Sequence, residues 1–150
     1  MFPTNCMKNV TVVIRKEDIK PILLFNKIIA CIFILIILFY AFIGSEAVNY
    51  FAPALGLIIS LISFYANNKN MKVKGNVLSK STMDIGIIKR GILADKIFFI
   101  VFLIVLGFIN LVSLIADFDY FIGFFPFTVF VLFGIYRRFK ILSKNIKGRK

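Results

Sequence analysis

Four stretches, residues 28–44, 47–66, 97–116 and 120–136, run for 17, 20, 20 and 17 residues without a single charged side chain. About 20 apolar residues rising ~1.5 Å each cross a hydrocarbon core of ~30 Å, so lengths like these suit a lipid bilayer better than a soluble core. The 19 Lys and Arg residues all fall outside these stretches, five before the first, seven between the second and third, and seven after the fourth. The two short connections between paired stretches hold only the acidic residues Glu46, Asp117 and Asp119. The basic side therefore carries about +15 and the other side −3, and by the positive-inside rule both termini face the cytoplasm.

The expected fold class is all-α: an integral membrane four-helix bundle made of two antiparallel transmembrane hairpins, joined by a short cytoplasmic amphipathic connector. Residues 1–150 read as a single four-span domain in the cell membrane, since spans and connections use nearly all of the chain. A hydrophobic content of 60%, with 19 Phe, fits side chains that face acyl chains. The richness in Lys, Asn, Ile and Phe fits an AT-rich bacterial genome. Cys6 and Cys31 are expected to be free thiols, because neither lies where a disulfide is normally formed. Lys27 breaks the apolar run before Cys31, which argues against lipidation there. The long first stretch likewise argues against cleavage after Ala47.

The first 20 residues read as a partly ordered tail, and residues 10–14 are a β-branched run whose alternation does not decide between a strand and an interfacial segment. Glu17, Asp18 and Pro21 suit a helix beginning near Asp18. The basic connector, residues 67–96, mixes Val77, Leu78, Met83, Ile87, Ile88 and Leu93 with Lys80, Lys89, Arg90 and Lys96, as expected of a segment lying on the membrane surface. Ser81 and Asp84 are candidate helix caps there, while Gly86 and Gly91 weaken a long helix. The basic C-terminal tail, residues 137–150, is expected to bind anionic lipid head groups, with Lys27, Lys96, Arg137, Arg138 and Lys140 as the lipid-headgroup anchors.

Helix packing in lipid relies on small residues and interhelical hydrogen bonds. Ala52, Gly56 and Ser60 recur every four residues, with Ser63 near the same face; Gly107, Asn110, Ser113 and Ala116 recur every three. The candidate helix-packing residues are accordingly Gly56, Ser60, Gly107, Asn110 and Ser113, with Asn110 expected to find a hydroxyl or carbonyl on a neighbouring helix. Pro53 marks the start of its span, and Pro126 is expected to bend the fourth, with Thr128 available to a freed carbonyl.

The chain has no His and no carboxylate within any of the four stretches, which removes the usual metal ligand and the usual intramembrane proton carriers. In size and topology it resembles small four-span multidrug exporters, but their coupling needs a Glu in the first span, and residues 28–44 have none. No catalytic, cofactor-binding or metal-binding residues are expected, and Asp84, Asp95, Asp117 and Asp119 read as caps or solvated turn residues. The expected partners are an anionic bilayer and either a second copy of the chain or another membrane protein, with no nucleic acid.

The leading expectation is a non-enzymatic membrane protein that acts through helix packing with a partner or toxin. Short, basic, multi-spanning and without catalytic residues, it is similar in type to bacteriocin self-immunity proteins. The alternative is a transporter or translocator subunit, with Gly56, Ser60, Asn110 and Ser113 lining a path, or an accessory subunit of a larger complex.

Overall fold

The computed structural model describes residues 9–147 and is dominated by four long helices. Strand β1 (Asn9–Arg15) leads into α1 (Lys16–Ile43), a 3-10 turn (Ala47–Tyr50) and α2 (Phe51–Met71); strand β2 (Val77–Asp84) then leads into α3 (Ile85–Ala116) and α4 (Phe118–Lys147). All four helices are long and apolar enough to cross a membrane.

Local chemistry sets the helix ends. The Asp18 carboxylate accepts from the Arg15 amide at 3.1 Å, holding the first turn of α1. Gly44 closes α1 in the left-handed region at φ 70°, which a residue without Cβ adopts at little cost. Asp84 caps α3 by accepting from the Gly86 amide at 2.7 Å. Asp117 alone separates α3 from α4, and its carboxylate accepts from the Tyr120 amide at 3.1 Å.

The helices overshoot the uncharged stretches at the basic end. At ~1.5 Å per residue the 32 residues of α3 reach about 48 Å, well beyond a ~30 Å hydrocarbon core. The surplus, residues 85–96 of α3 and 137–147 of α4, is folded rather than loose. It packs on a two-stranded antiparallel sheet in which Val10 pairs with Met83, Val12 with Ser81 and Ile14 with Ser79. Val10, Val12 and Ile88 form a small core closed by Ile85, Ile92, Leu142 and Ile146, and the Val13 amide donates to Asn145 Oδ1 at 2.9 Å.

Several expectations are corrected here. Residues 9–15 are a strand and not a partly ordered tail, because Val10 and Val12 gain a buried face once β2 lies beside them. The connector is the end of α2, a turn, strand β2 and the start of α3: Ser81 sits within β2 rather than at a helix cap, and Gly86 and Gly91 are accommodated inside α3. The described part of the tail is a continuation of α4 whose apolar side covers the sheet. Cys31 is exposed and unpaired among the described residues, while Cys6 and residues 148–150 lie outside them.

Contacts between α1 and α2 link Asn26 with Ser63 and Phe33 with Gly56, and Tyr40 meets Tyr50 of the 3-10 turn before α2, so numbering falls along one side as it rises along the other. The same holds for α3 and α4, where Phe99 meets Phe139 and Asn110 meets Thr128. α4 also packs on α1, through Phe25 stacked on Phe133 at 3.9 Å and Phe33 edge-on to Phe130, and on α2, where Gly123 lies close to Pro53. α3, in contrast, leans on α4 and β2 and has no substantial packing on α1 or α2. The arrangement is three helices in mutual contact with a fourth set to one side.

Candidate binding cavity at the basic end

Because α3 stands away from α1 and α2, a cavity of about 660 Å3 opens between the helices at the basic end. Its walls are mostly aliphatic and aromatic. α1 contributes Ile22 and Asn26, α2 Ser63 and Asn67, α3 Ile87, Ile88 and Gly91, and α4 Phe130, Phe133, Gly134, Arg137, Arg138, Ile141 and Leu142, with Ile14 and Met83 of the strands above. Neither Gly91 nor Gly134 would bring a Cβ within 4 Å of any neighbouring atom, so both leave unfilled space.

Polar groups are few and concentrated. The Asn26 amide nitrogen donates to the Ser63 hydroxyl at 2.8 Å, and the Asn67 amide nitrogen donates to the Ser63 carbonyl at 2.8 Å, so one wall carries a connected polar patch. At the rim, Arg137 donates through one terminal nitrogen to the Asp18 carbonyl at 2.7 Å. Its Nε is buried and has no hydrogen-bond partner among the described residues. Arg138 Nε lies 3.2 Å from Asp95 Oδ2, close enough for charge attraction though outside hydrogen-bond alignment.

Asp95 is therefore corrected from a cap or solvated turn residue to a buried carboxylate within α3. The helix starts twelve residues before the third uncharged stretch, which carries Asp95 opposite the overshooting end of α4. A buried carboxylate left alone would cost several kcal/mol, and Arg138 offsets that cost. Asp18 is treated similarly: Lys144 donates to its carboxylate and to that of Glu17, both at 3.0 Å. Asp18 lies ten residues before the first uncharged stretch. Burial alone would raise its pKa, but hydrogen bonds from the Arg15 amide and Lys144, with the nearby Arg137 charge, hold it below the ordinary value. The same hydrogen bonds to Asp18 and Glu17 raise the Lys144 ammonium above its usual range.

The residues singled out from the sequence fall into distinct groups. Gly56 lies beneath the Phe33 ring, where any Cβ would overlap it, and Ser60 is fully buried with its hydroxyl donating to the Leu57 carbonyl at 2.8 Å. Asn110 donates to the Thr128 hydroxyl and to the Leu106 carbonyl, both at 2.7 Å, and Ser113 is buried. Thr128 donates to the Phe124 carbonyl at 3.2 Å rather than to the Ile122 carbonyl that Pro126 leaves free. Gly107 is corrected: it is exposed, and nothing lies within 4 Å of where a Cβ would sit. At about 100° per residue an interval of three drifts by about 60° per step, so Gly107 turns away from Ser113, whereas Leu106, Asn110 and Ser113 share an arc of about 60°.

Of the anchors, Lys27 sits 5.5 Å from the Phe64 ring centroid and Lys140 5.4 Å from that of Tyr136, while Lys96 is exposed. Arg137 is half-buried and donates to the Asp18 carbonyl, whereas Arg138 is exposed, with its Nε beside Asp95. The sequence pattern did not reveal the Gly123 contact, where α4 closes on Tyr40 and Pro53, or the Tyr40 hydroxyl's donation to the Asp119 carbonyl. A glycine four residues after the acidic turn, on the first turns of α4, was the available signal. Among the described residues no three His, Cys, Asp or Glu side chains gather in a metal-binding group. Comparison with protein-family models, with curated proteins and with solved structures finds no match to this chain.

Proposed function

We propose that this chain is a multi-pass protein of the cell membrane with both termini cytoplasmic, and that it works by binding rather than by catalysis, at the cavity on its basic end. The four apolar helices and the segregation of Lys and Arg support the topology. The observation that carries the binding reading is the cavity of about 660 Å3, a size typical of ligand sites, lined by apolar side chains with a few polar groups converging on it. The carboxylates nearby, Asp18 and Asp95, are engaged in ion pairs with Lys144 and Arg138, and among the described residues neither has a His or Cys beside it.

A second reading, a transmembrane partner or toxin as in self-immunity, is favoured by the open flank of α3, since a helix with substantial packing on a single helical neighbour can accept another. A photoreactive side chain placed at Gly134 in living cells distinguishes the two by the mass of the adduct. A small-molecule adduct supports the cavity reading, a polypeptide adduct supports the partner reading, and no adduct overturns both.

A further inference from the structure

Resting on the cytoplasmic-end binding reading, we propose that the cavity takes the single acyl chain of an anionic amphiphile, with its carboxylate or phosphate against Arg137 and Arg138. Three observations converge. The apolar walls reach from Phe130 in the fourth span to Ile87 and Leu142 above it, a path suited to a chain rather than to a compact ring. Arg137 directly follows the last uncharged stretch, so by the proposed topology it lies at head-group level of the inner leaflet, where anionic amphiphiles are found.

The guanidinium chemistry then decides the sign of the head group. Arg is always charged and carries five donors in a planar fork. Arg137 spends one terminal nitrogen on the neutral Asp18 carbonyl, and its buried Nε has no partner among the described residues. The Asp18 carboxylate itself is held by Lys144 and the Arg15 amide. An incoming carboxylate or phosphate would supply the anionic acceptor that this buried donor lacks, and such charge-assisted bonds are the strong ones.

The test uses the full chain in nanodiscs of phosphatidylcholine, with palmitate, palmitoyl lysophosphatidylglycerol and hexadecanol as probes. Palmitate and lysophosphatidylglycerol should both bind saturably; if only one does, that one is the source of the head group. Arg137→Gln should weaken them about tenfold, the loss expected of one hydrogen bond to a charged group, with Arg137→Lys, which keeps the charge but not the Nε donor, recovering only part of it. Hexadecanol, which has no anionic head, should bind weakly and be indifferent to Arg137→Gln. Gly91→Leu, which fills the cavity from a position with no neighbour within 4 Å, should abolish binding while leaving the melting temperature unchanged or raised. Binding unaffected by Gly91→Leu would place the amphiphile elsewhere and overturn the proposal. So would hexadecanol binding as tightly as palmitate. Loss of amphiphile binding alongside a small-molecule adduct at Gly134 would overturn only the ligand class, leaving the cavity reading in place.

Discussion

α1 and α3 are equally apolar along their central windows, yet 28% of the α1 window is buried and only 11% of the α3 window. Apolarity decides that a helix can enter a membrane, and it says little about which neighbour the helix will touch. Partner choice comes from places where one backbone can approach another. α1 finds them: Phe33 lies over Gly56, the Asn26 amide reaches Ser63, and Tyr40 stands where Gly123 leaves room. α3 offers Gly107 to open space and meets α4 through Leu106 beside Phe124, Asn110 on Thr128 and Phe99 against Phe139. The outcome is a closed seam on one side and a cavity on the other.

Breaking the closed seam should have the largest effect. Gly56→Leu places a branched side chain inside the Phe33 ring, and overpacking of this kind costs about 3 kcal/mol or prevents assembly. Thermal unfolding in detergent reads it, and an unchanged melting temperature would mean that α1 and α2 are not in close contact.

Asn110→Leu comes next, with a loss of ~0.6 to 2 kcal/mol, since it removes the hydrogen bond to Thr128 that ties α3 to its one helical neighbour. Both side chains serve the same interhelical bond, so Thr128→Val should cost a similar amount and the double variant little more than either.

The acid response sharpens the contrast between the basic-end platform and the helical seams. Asp18 has a folded pKa below its ordinary value of 3.8, so its ion pair contributes stability above that value and loses it as pH falls through the folded pKa. Wild type should therefore weaken as the pH falls below the ordinary carboxylate value of 3.8 by more than Asp18→Asn does, as followed by hydrogen exchange of the β1 amides. Equal acid responses would remove Asp18 from the clamp. The smallest effect is expected for Gly107→Ala, within about 0.5 kcal/mol of wild type or more stable, because the new methyl meets nothing and helix propensity rises.

The four long helices were legible in the sequence because a hydrocarbon core demands the exclusion of charge over about 20 residues and a water-exposed helix does not. The Gly56 and Ser60 spacing was legible as well, since intervals of four stay on one face of a helix. What could not be read was anything depending on distant pairing. Val10 and Val12 alternate too briefly to declare a strand, and their partners at Met83 and Ser81 lie beyond two intervening helices. Asp95 and Arg138 each looked like the solvated boundary of a span, because nothing local reveals that α3 and α4 continue past it and face each other. The cavity was illegible for the same reason: it is made by α3 failing to pack on α1 and α2, a property of no single segment.

The central claim is that the sheet, the cavity and both termini lie on the cytoplasmic side of a four-span chain, and impermeant thiol labelling of intact cells tests it most directly. In a background with Cys6→Ser and Cys31→Ala, single cysteines at Ser45 and Phe118 should react from outside, whereas those at Asn76 and Lys144 should react only after the membrane is permeabilised. Labelling of Asn76 or Lys144 in intact cells would contradict the account.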